Sequence, residues 1–237
     1  MQTPFKDMIF PEPLIHGRLV KRYKRFLADI ILDDGQKVTA HCTNSGSMKS
    51  CLEDNAEVYI SRSPNPNRKL PYTWEMIKIN GDWVGINTSH PNKIAFDILQ
   101  SQWIKELPAF QHLKREVKYD DSRFDVYGES NGQKWFFEVK NVTLKDGNTA
   151  RFPDAVTTRG QKHLQTLVKA KSNGYQVAMI YIIQRTDVEA FAPAWDIDPV
   201  YSNELVKAIN AGVNVFPIQV KVTPTSIEPI KILHLDL

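Results

Sequence analysis

Asp125, Glu138 and Lys140 are the residues of this chain whose types and spacing suit a chemical task. Two carboxylates and an ammonium, brought together, suit metal-assisted attack on a phosphodiester, whose own negative charge repels hydroxide. The run Trp135-Phe136-Phe137-Glu138-Val139-Lys140 reads as a strand, so Glu138 and Lys140 leave one face while Phe137 and Val139 leave the other. Asp125 lies in Arg123-Phe124-Asp125-Val126-Tyr127, and the turn signal Ser130-Asn131-Gly132-Gln133 folds that run back on the second as a hairpin. The two acids are therefore expected to share one Mg²⁺ or Mn²⁺, with Lys140 orienting the attacking water or stabilising charge on the phosphorane oxygens. The plainer alternatives are ion pairs: Glu138 with Lys140 on a solvent face, and Asp125 with Arg123 on its own strand.

The elements that must position these residues fall into two groups. The first third reads as short strands, Arg18 to Leu32, Lys37 to Cys42, Glu57 to Ser61 and Trp74 to Ile79, with an Asp33-Asp34-Gly35 turn, a spacing that predicts a small β-barrel. After Asn80-Gly81 the pattern changes. Pro91 suits a first helical position, with Ile94, Ala95, Ile98 and Leu99 as an apolar face. A helix from about Gly160 to Ser172, a continuous apolar strand from Gln176 to Gln184, a helix near Asn203 to Ala211 and a strand from Asn214 to Val222 follow. A strand that is apolar on both faces implies a sheet covered by helices. The expected domains are residues 1–80 and 81–237.

Length and composition set the outer bounds. With 237 residues, 42% of them hydrophobic and 10% aromatic, the chain can fill one or two substantial cores. Cys42 and Cys51 are the only cysteines, and residues 1–6 lack the apolar stretch of a secretory signal, so a reducing cytoplasm is expected. His41 with these cysteines lacks the paired short spacings of a structural zinc site. The longest apolar run, 177–183, falls far short of the roughly 20 residues of a membrane helix, so a soluble protein with no membrane partner is expected.

The net charge is only +3, but residues 1–80 carry 12 Lys and Arg against 9 Asp and Glu, while the remainder balances 18 against 18. Arg18, Lys21, Arg22, Lys24 and Arg25 fall within eight residues, interleaved with Tyr23 and Phe26, and a later loop adds Arg68 and Lys69. Cations with aromatics between them suit a groove that tracks phosphates and stacks bases, so DNA is the expected partner, with RNA also open. A solvated edge strand that resists strand addition is the alternative.

The Asp-x12-Glu-x-Lys arrangement resembles the active site of the PD-(D/E)xK nuclease superfamily. Longer strings resemble the sugar fermentation stimulation protein A family: Thr39-Ala40-His41-Cys42, Asn44-Ser45-Gly46-Ser47-Met48-Lys49, Arg68-Lys69-Leu70-Pro71-Tyr72-Thr73, Arg115-Glu116-Val117-Lys118-Tyr119, Glu138-Val139-Lys140-Asn141-Val142-Thr143-Leu144, Phe152-Pro153-Asp154-Ala155-Val156-Thr157 and Arg159-Gly160-Gln161-Lys162-His163-Leu164. That resemblance implies an α/β (α+β) protein: an N-terminal OB-like barrel followed by a nuclease-like α/β domain with a central mixed sheet. It also implies non-specific DNA binding and a role in regulating sugar (maltose) metabolism. By the same resemblance Asp97 stands where an acidic helix residue joins the metal ligands, although it is shorter than the glutamate expected there, and Gln161 and Lys162 stand where a later helix contacts the site. A non-catalytic DNA-binding regulator with the same fold, an RNA-directed nuclease and a homodimer remain open.

Overall fold

The computed structural model of the protein describes residues 7–237; the absence of a secretory signal from residues 1–6 lies outside the described residues. A two-residue strand, β1 (Met8–Ile9), precedes a six-stranded sheet: β2 (Ile15–Tyr23), β3 (Leu27–Leu32), β4 (Lys37–His41), β5 (Glu57–Arg62), β6 (Tyr72–Ile79) and β7 (Asp82–Gly85). Parallel pairing of β4 with β6, at Ala40–Tyr72 and His41–Thr73, closes the strands in the order β4-β3-β2-β5-β6 into a barrel. Alternation drives the closure, since Leu19, Ala28, Ile30, Val58, Ile60, Trp74 and Ile77 all point inward and are buried. Cys42 and Cys51 are free thiols in this core.

Two expectations change here. The run from Arg18 to Leu32 is a hairpin of two strands, because Lys24 and Arg25 turn the chain with φ of 49° and 63°. Neither residue is a glycine or asparagine, so the turn carries none of the usual composition signal. The division expected after residue 80 lies beyond Gly85, since β7 pairs with β6 and completes the first sheet.

The second group is α1 (His90–Gln100), β8 (His112–Tyr119), β9 (Ser122–Ser130), β10 (Gln133–Val142), β11 (Lys145–Asp146), β12 (Thr149–Phe152), α2 (Thr158–Ser172), β13 (Gln176–Ile183), β14 (Ala190–Pro193), α3 (Pro199–Asn210), β15 (Asn214–Val222), β16 (Ser226–Ile232) and β17 (His234–Leu235). Its mixed sheet runs β1-β16-β15-β13-β10-β9-β8, with β13 parallel to both β10 and β15. Helix α1 covers one face, where Ile94, Ala95 and Ile98 meet Phe137, Val139 and Ile180. Helices α2 and α3 cover the other, where Leu164, Leu167 and Leu205 meet Phe136, Met179 and Tyr181. Each such fully buried side chain contributes roughly 1.5–3 kcal/mol. A smaller sheet, β11-β12-β14-β17, flanks this layer. Among the described residues no helix is long and apolar enough to cross a membrane.

Polar contacts lock the barrel to the second domain. Arg185, fully buried two residues beyond the end of β13, donates through Nη1 to Thr143 O at 2.7 Å and to Ser50 O and Oγ at 3.3 and 3.2 Å. Its charge is answered by Asp187, which takes Nε at 2.6 Å and Nη2 at 2.8 Å and is also bound by Lys145 Nζ at 2.7 Å. Burial alone would push the Asp187 carboxyl up, but the two cations hold it well below the usual carboxylate range. Asp187 therefore contributes stability that is complete above the ordinary aspartate pKa of about 4 and is lost as pH falls below it. Asp187→Asn should cost about 3–5 kcal/mol at pH 7 by leaving Arg185 uncompensated. Urea unfolding should show this difference shrinking as pH falls from 7 towards 3; a constant difference would contradict the assignment.

Candidate active site

Asn131 and Gly132, with φ of 49° and 78°, turn β9 back on β10, and the ladder runs from Gln133–Ser130 to Phe137–Val126. Continued by one step, this register sets Asp125 opposite Glu138. Alternation along β9 breaks there, since Phe124 lies in the α2-side core and Val126 in the α1-side core. Asp125 uses the break. Its Oδ2 accepts the Val139 N–H at 2.7 Å, and its Oδ1 accepts Asn92 Nδ2 from α1 at 2.7 Å.

Glu138 projects towards α2 and is only 2% exposed. Its Oε1 accepts Lys140 Nζ at 2.6 Å and is also in contact with His163 Nδ1 from α2. The other ring nitrogen, His163 Nε2, lies 3.4 Å from Arg159 Nε, and Lys140 Nζ lies 3.3 Å from Nδ1, so the three side chains form one cluster around Glu138 Oε1. Thus one oxygen of Glu138 is doubly served. The other, Oε2, is buried and has no protein donor.

The two acids are held in opposite electrostatic states. Burial would raise Glu138, but the His163 and Lys140 donors outweigh it and hold the carboxyl below its usual range. Asp125 is pushed up to about 6, first by burial and then by the charge of Glu138, against the pull of the Val139 N–H, Lys140 and Asn92. A raised acid beside an ionised one marks a pair of negative groups short of positive charge. Among the described residues no three His, Cys, Asp or Glu side chains form a metal-binding group. A Mg²⁺ ion nevertheless needs only one or two carboxylates and keeps several waters, and the bare Glu138 Oε2, on a carboxyl whose charge reaches Asp125, fits that demand.

The remaining sequence candidates are placed as follows. Asp97 points away from the group: its Oδ2 takes Lys93 Nζ at 2.6 Å, and it stands about 140° around α1 from Asn92, the residue that does reach Asp125. Arg123 pairs loosely with Glu116 at 3.8 Å, so it is not the partner of Asp125. Gln161 Nε2 is held by Asp198 at 3.0 Å, and Lys162 pairs with Asp121 at 2.6 Å on the surface. Arg22 turns inward, donating through Nη2 to Asn44 O and Gly46 O at 2.9 and 3.0 Å, and so supports a loop. Arg18, Lys21, Lys24, Arg25 and Lys69 are exposed, while Arg68 binds Thr73 Oγ1 at 2.8 Å. Sequence reasoning did not assign Asn92, Arg159 or His163. His163 carried one signal, an imidazole within the helix that covers the Glu138 face.

A closed barrel joined to a helix-covered mixed sheet, with acids from two strands beside a lysine, defines a two-domain protein with an OB-type first domain. Residues 20–86 match the SfsA N-terminal OB domain and residues 89–226 match the sugar fermentation stimulation protein RE domain. The chain belongs to the sugar fermentation stimulation protein family. It is 48% identical to the sugar fermentation stimulation protein homolog of Geobacter sulfurreducens over 221 residues, 93% of this chain and 95% of that one. It is also 48% identical to the homolog of Rhodospirillum rubrum, covering 92% and 94% of the two chains. The solved structure of Pyrococcus furiosus SfsA in complex with Ca²⁺ has the same fold, with a TM-score of 0.89 at 23% identity over 98% of this chain and all of that one.

Asp125 should titrate near pH 6 in metal-free buffer, read by carboxyl-carbon NMR. Glu138→Gln removes the neighbouring negative charge and should move this midpoint down; an unchanged or raised midpoint would show that the two acids do not interact.

Proposed function

We propose that this protein binds DNA without sequence preference and that Asp125, Glu138 and Lys140 form a Mg²⁺-dependent phosphodiesterase centre. The observation that carries the proposal is the bare, buried Glu138 Oε2, together with an Asp125 carboxyl pushed up to about 6 by burial and by the charge of Glu138. The PD-(D/E)xK-like spacing supports a divalent cation at this place, and the Pyrococcus furiosus relative was solved in complex with Ca²⁺. Asp125 and Glu138 would hold it, and Mn²⁺ would serve equally. The ion would supply Lewis-acid polarisation of the phosphoryl oxygen and a more acidic bound water.

The chain's own groups do the rest. Val139 N–H and Asn92 fix the orientation of Asp125. His163 and Lys140 fix one oxygen of Glu138 and leave the other free to bind. The Lys140 side chain, 15% exposed, would orient a water or take up charge on the phosphorane oxygens.

A second reading, a non-catalytic regulator that occupies DNA, is favoured by one observation: Lys140 and His163 already satisfy Glu138 Oε1 without any metal. Under either reading, the name shared by the relatives supports a link to sugar fermentation; regulation of sugar (maltose) use in a cytoplasmic setting is the narrower form of the proposal, and unchanged transcripts of sugar-utilisation genes in a deletion strain would remove it.

Plasmid, single-stranded DNA and RNA incubated with Mg²⁺, Mn²⁺ or EDTA separate the readings. Metal-dependent cleavage should fall by roughly 10²–10³-fold in Glu138→Ala and Lys140→Ala, with duplex DNA binding retained. No cleavage of any substrate by the wild type would leave the binding protein. Replacing Lys24 and Arg25, exposed at the β2–β3 turn, with Ala should lower affinity for all sequences and reduce the salt slope by about 2. An unchanged slope would place the DNA surface elsewhere.

A further inference from the structure

A cleft of about 430 Å³ opens between the two domains, walled by the Thr43–Gly46 segment of the barrel on one side and by Lys140, Phe152 and Arg159 on the other. We propose that this cleft holds one nucleotide of a single strand, its base against Phe152 and its phosphate towards Lys140 and Arg159. The site would then act on single-stranded or locally melted DNA and not on intact duplex. The catalytic part of this inference rests on the phosphodiesterase reading above; the binding part does not.

Four features point the same way. The volume lies at the lower end of ligand pockets and suits a nucleotide-sized group. Of Asp125, Glu138 and Lys140, only Lys140 lines the cleft, and its bond to Glu138 links a phosphate held there to the acids.

The walls come from different domains and are pinned. Ser47 N–H donates to Asp154 Oδ2 at 2.8 Å, and Arg22 holds the Asn44 and Gly46 carbonyls from behind. A Cβ on Gly46 would collide with the Asp154 carboxylate, so the loop sits as close as a backbone permits. A cleft fixed in this way admits a strand that has left its stack more readily than a paired one.

The contents are also those of a nucleotide site. Phe152 packs edgewise on Tyr201 and at a tilt on Tyr181, at centroid distances of 5.2 and 5.6 Å, which holds its ring as a stacking platform. Arg151 is committed to Asp146 and Asp196, whereas Arg159 has no acidic partner among the described residues and is the cation left for a phosphate. Asp154, the acid in the cleft, is engaged by the Ser47 N–H.

Fluorescence anisotropy tests this with a labelled oligothymidylate and a blunt duplex, both in EDTA so that binding is read without cleavage. Arg159→Ala and Phe152→Leu should each weaken single-strand binding on the order of tenfold and change duplex binding by less than about twofold. Arg159 is exposed, so its variant keeps the test sound if Phe152→Leu disturbs the packing. No single-strand binding by the wild type, no loss in Arg159→Ala, or an equal loss on duplex overturns the proposal. If the selective loss is seen but Mg²⁺ gives no cleavage, the cleft stands and the nuclease reading fails. If blunt duplex is cut as fast as single strand, the centre stands and the cleft assignment fails.

Discussion

The buried carboxylate of Glu138 is the constraint around which the second domain is arranged. An ionised acid at 2% exposure, on a strand otherwise made of Trp135, Phe136, Phe137 and Val139, is tolerable only when other groups repay its lost hydration. Lys140, two residues on along the same strand face, supplies one donor. Helix α2 supplies the other through His163, whose second ring nitrogen is met by Arg159. These donors converge on Oε1 alone, and the unserved Oε2 is the feature that a simple structural ion pair would not leave behind.

From this follows the position of Asp125. The β9–β10 ladder stops at Phe137–Val126, and the Asp125 carboxylate then takes the Val139 N–H in place of a backbone partner. The same side chain reaches Asn92 of α1, so it lies where the two core layers of the sheet meet. The barrel contributes to the site from outside. Its Ser47 and Ser50 are bound by Asp154, Arg185 and the β10–β11 segment, which sets the Thr43–Gly46 loop over the end of β10 where Lys140 emerges. A first domain that reads in sequence as a separate binding module thus forms one wall of the second domain's cleft.

Much of this was legible in the chain because local chemistry and global fold agree. Asn131-Gly132 is the residue pair that a two-residue hairpin turn demands, and it brings the strands of Asp125 and Glu138 together. The apolar runs of β13 and β15 read as buried strands because both faces are covered. What failed to show depends on partners distant in sequence. The Lys24-Arg25 turn lacks the usual residues, so two strands read as one. Arg22 looks like its exposed neighbours, yet its partners are carbonyls 22 and 24 residues away. The residue types of Asn92 and His163 are ordinary on helices, and their roles follow from which helix face the sheet receives. Asp97, an acid on the expected helix, is spent on Lys93 one turn away.

The account stands on Asp125 and Glu138 acting as one site for a divalent cation. Electron paramagnetic resonance of Mn²⁺ titrated into the purified chain measures this directly. One bound ion per chain in the wild type, lost in Glu138→Gln while the circular dichroism spectrum stays unchanged, is the predicted result. Full Mn²⁺ binding by the folded Glu138→Gln protein, or none by the wild type, would contradict it.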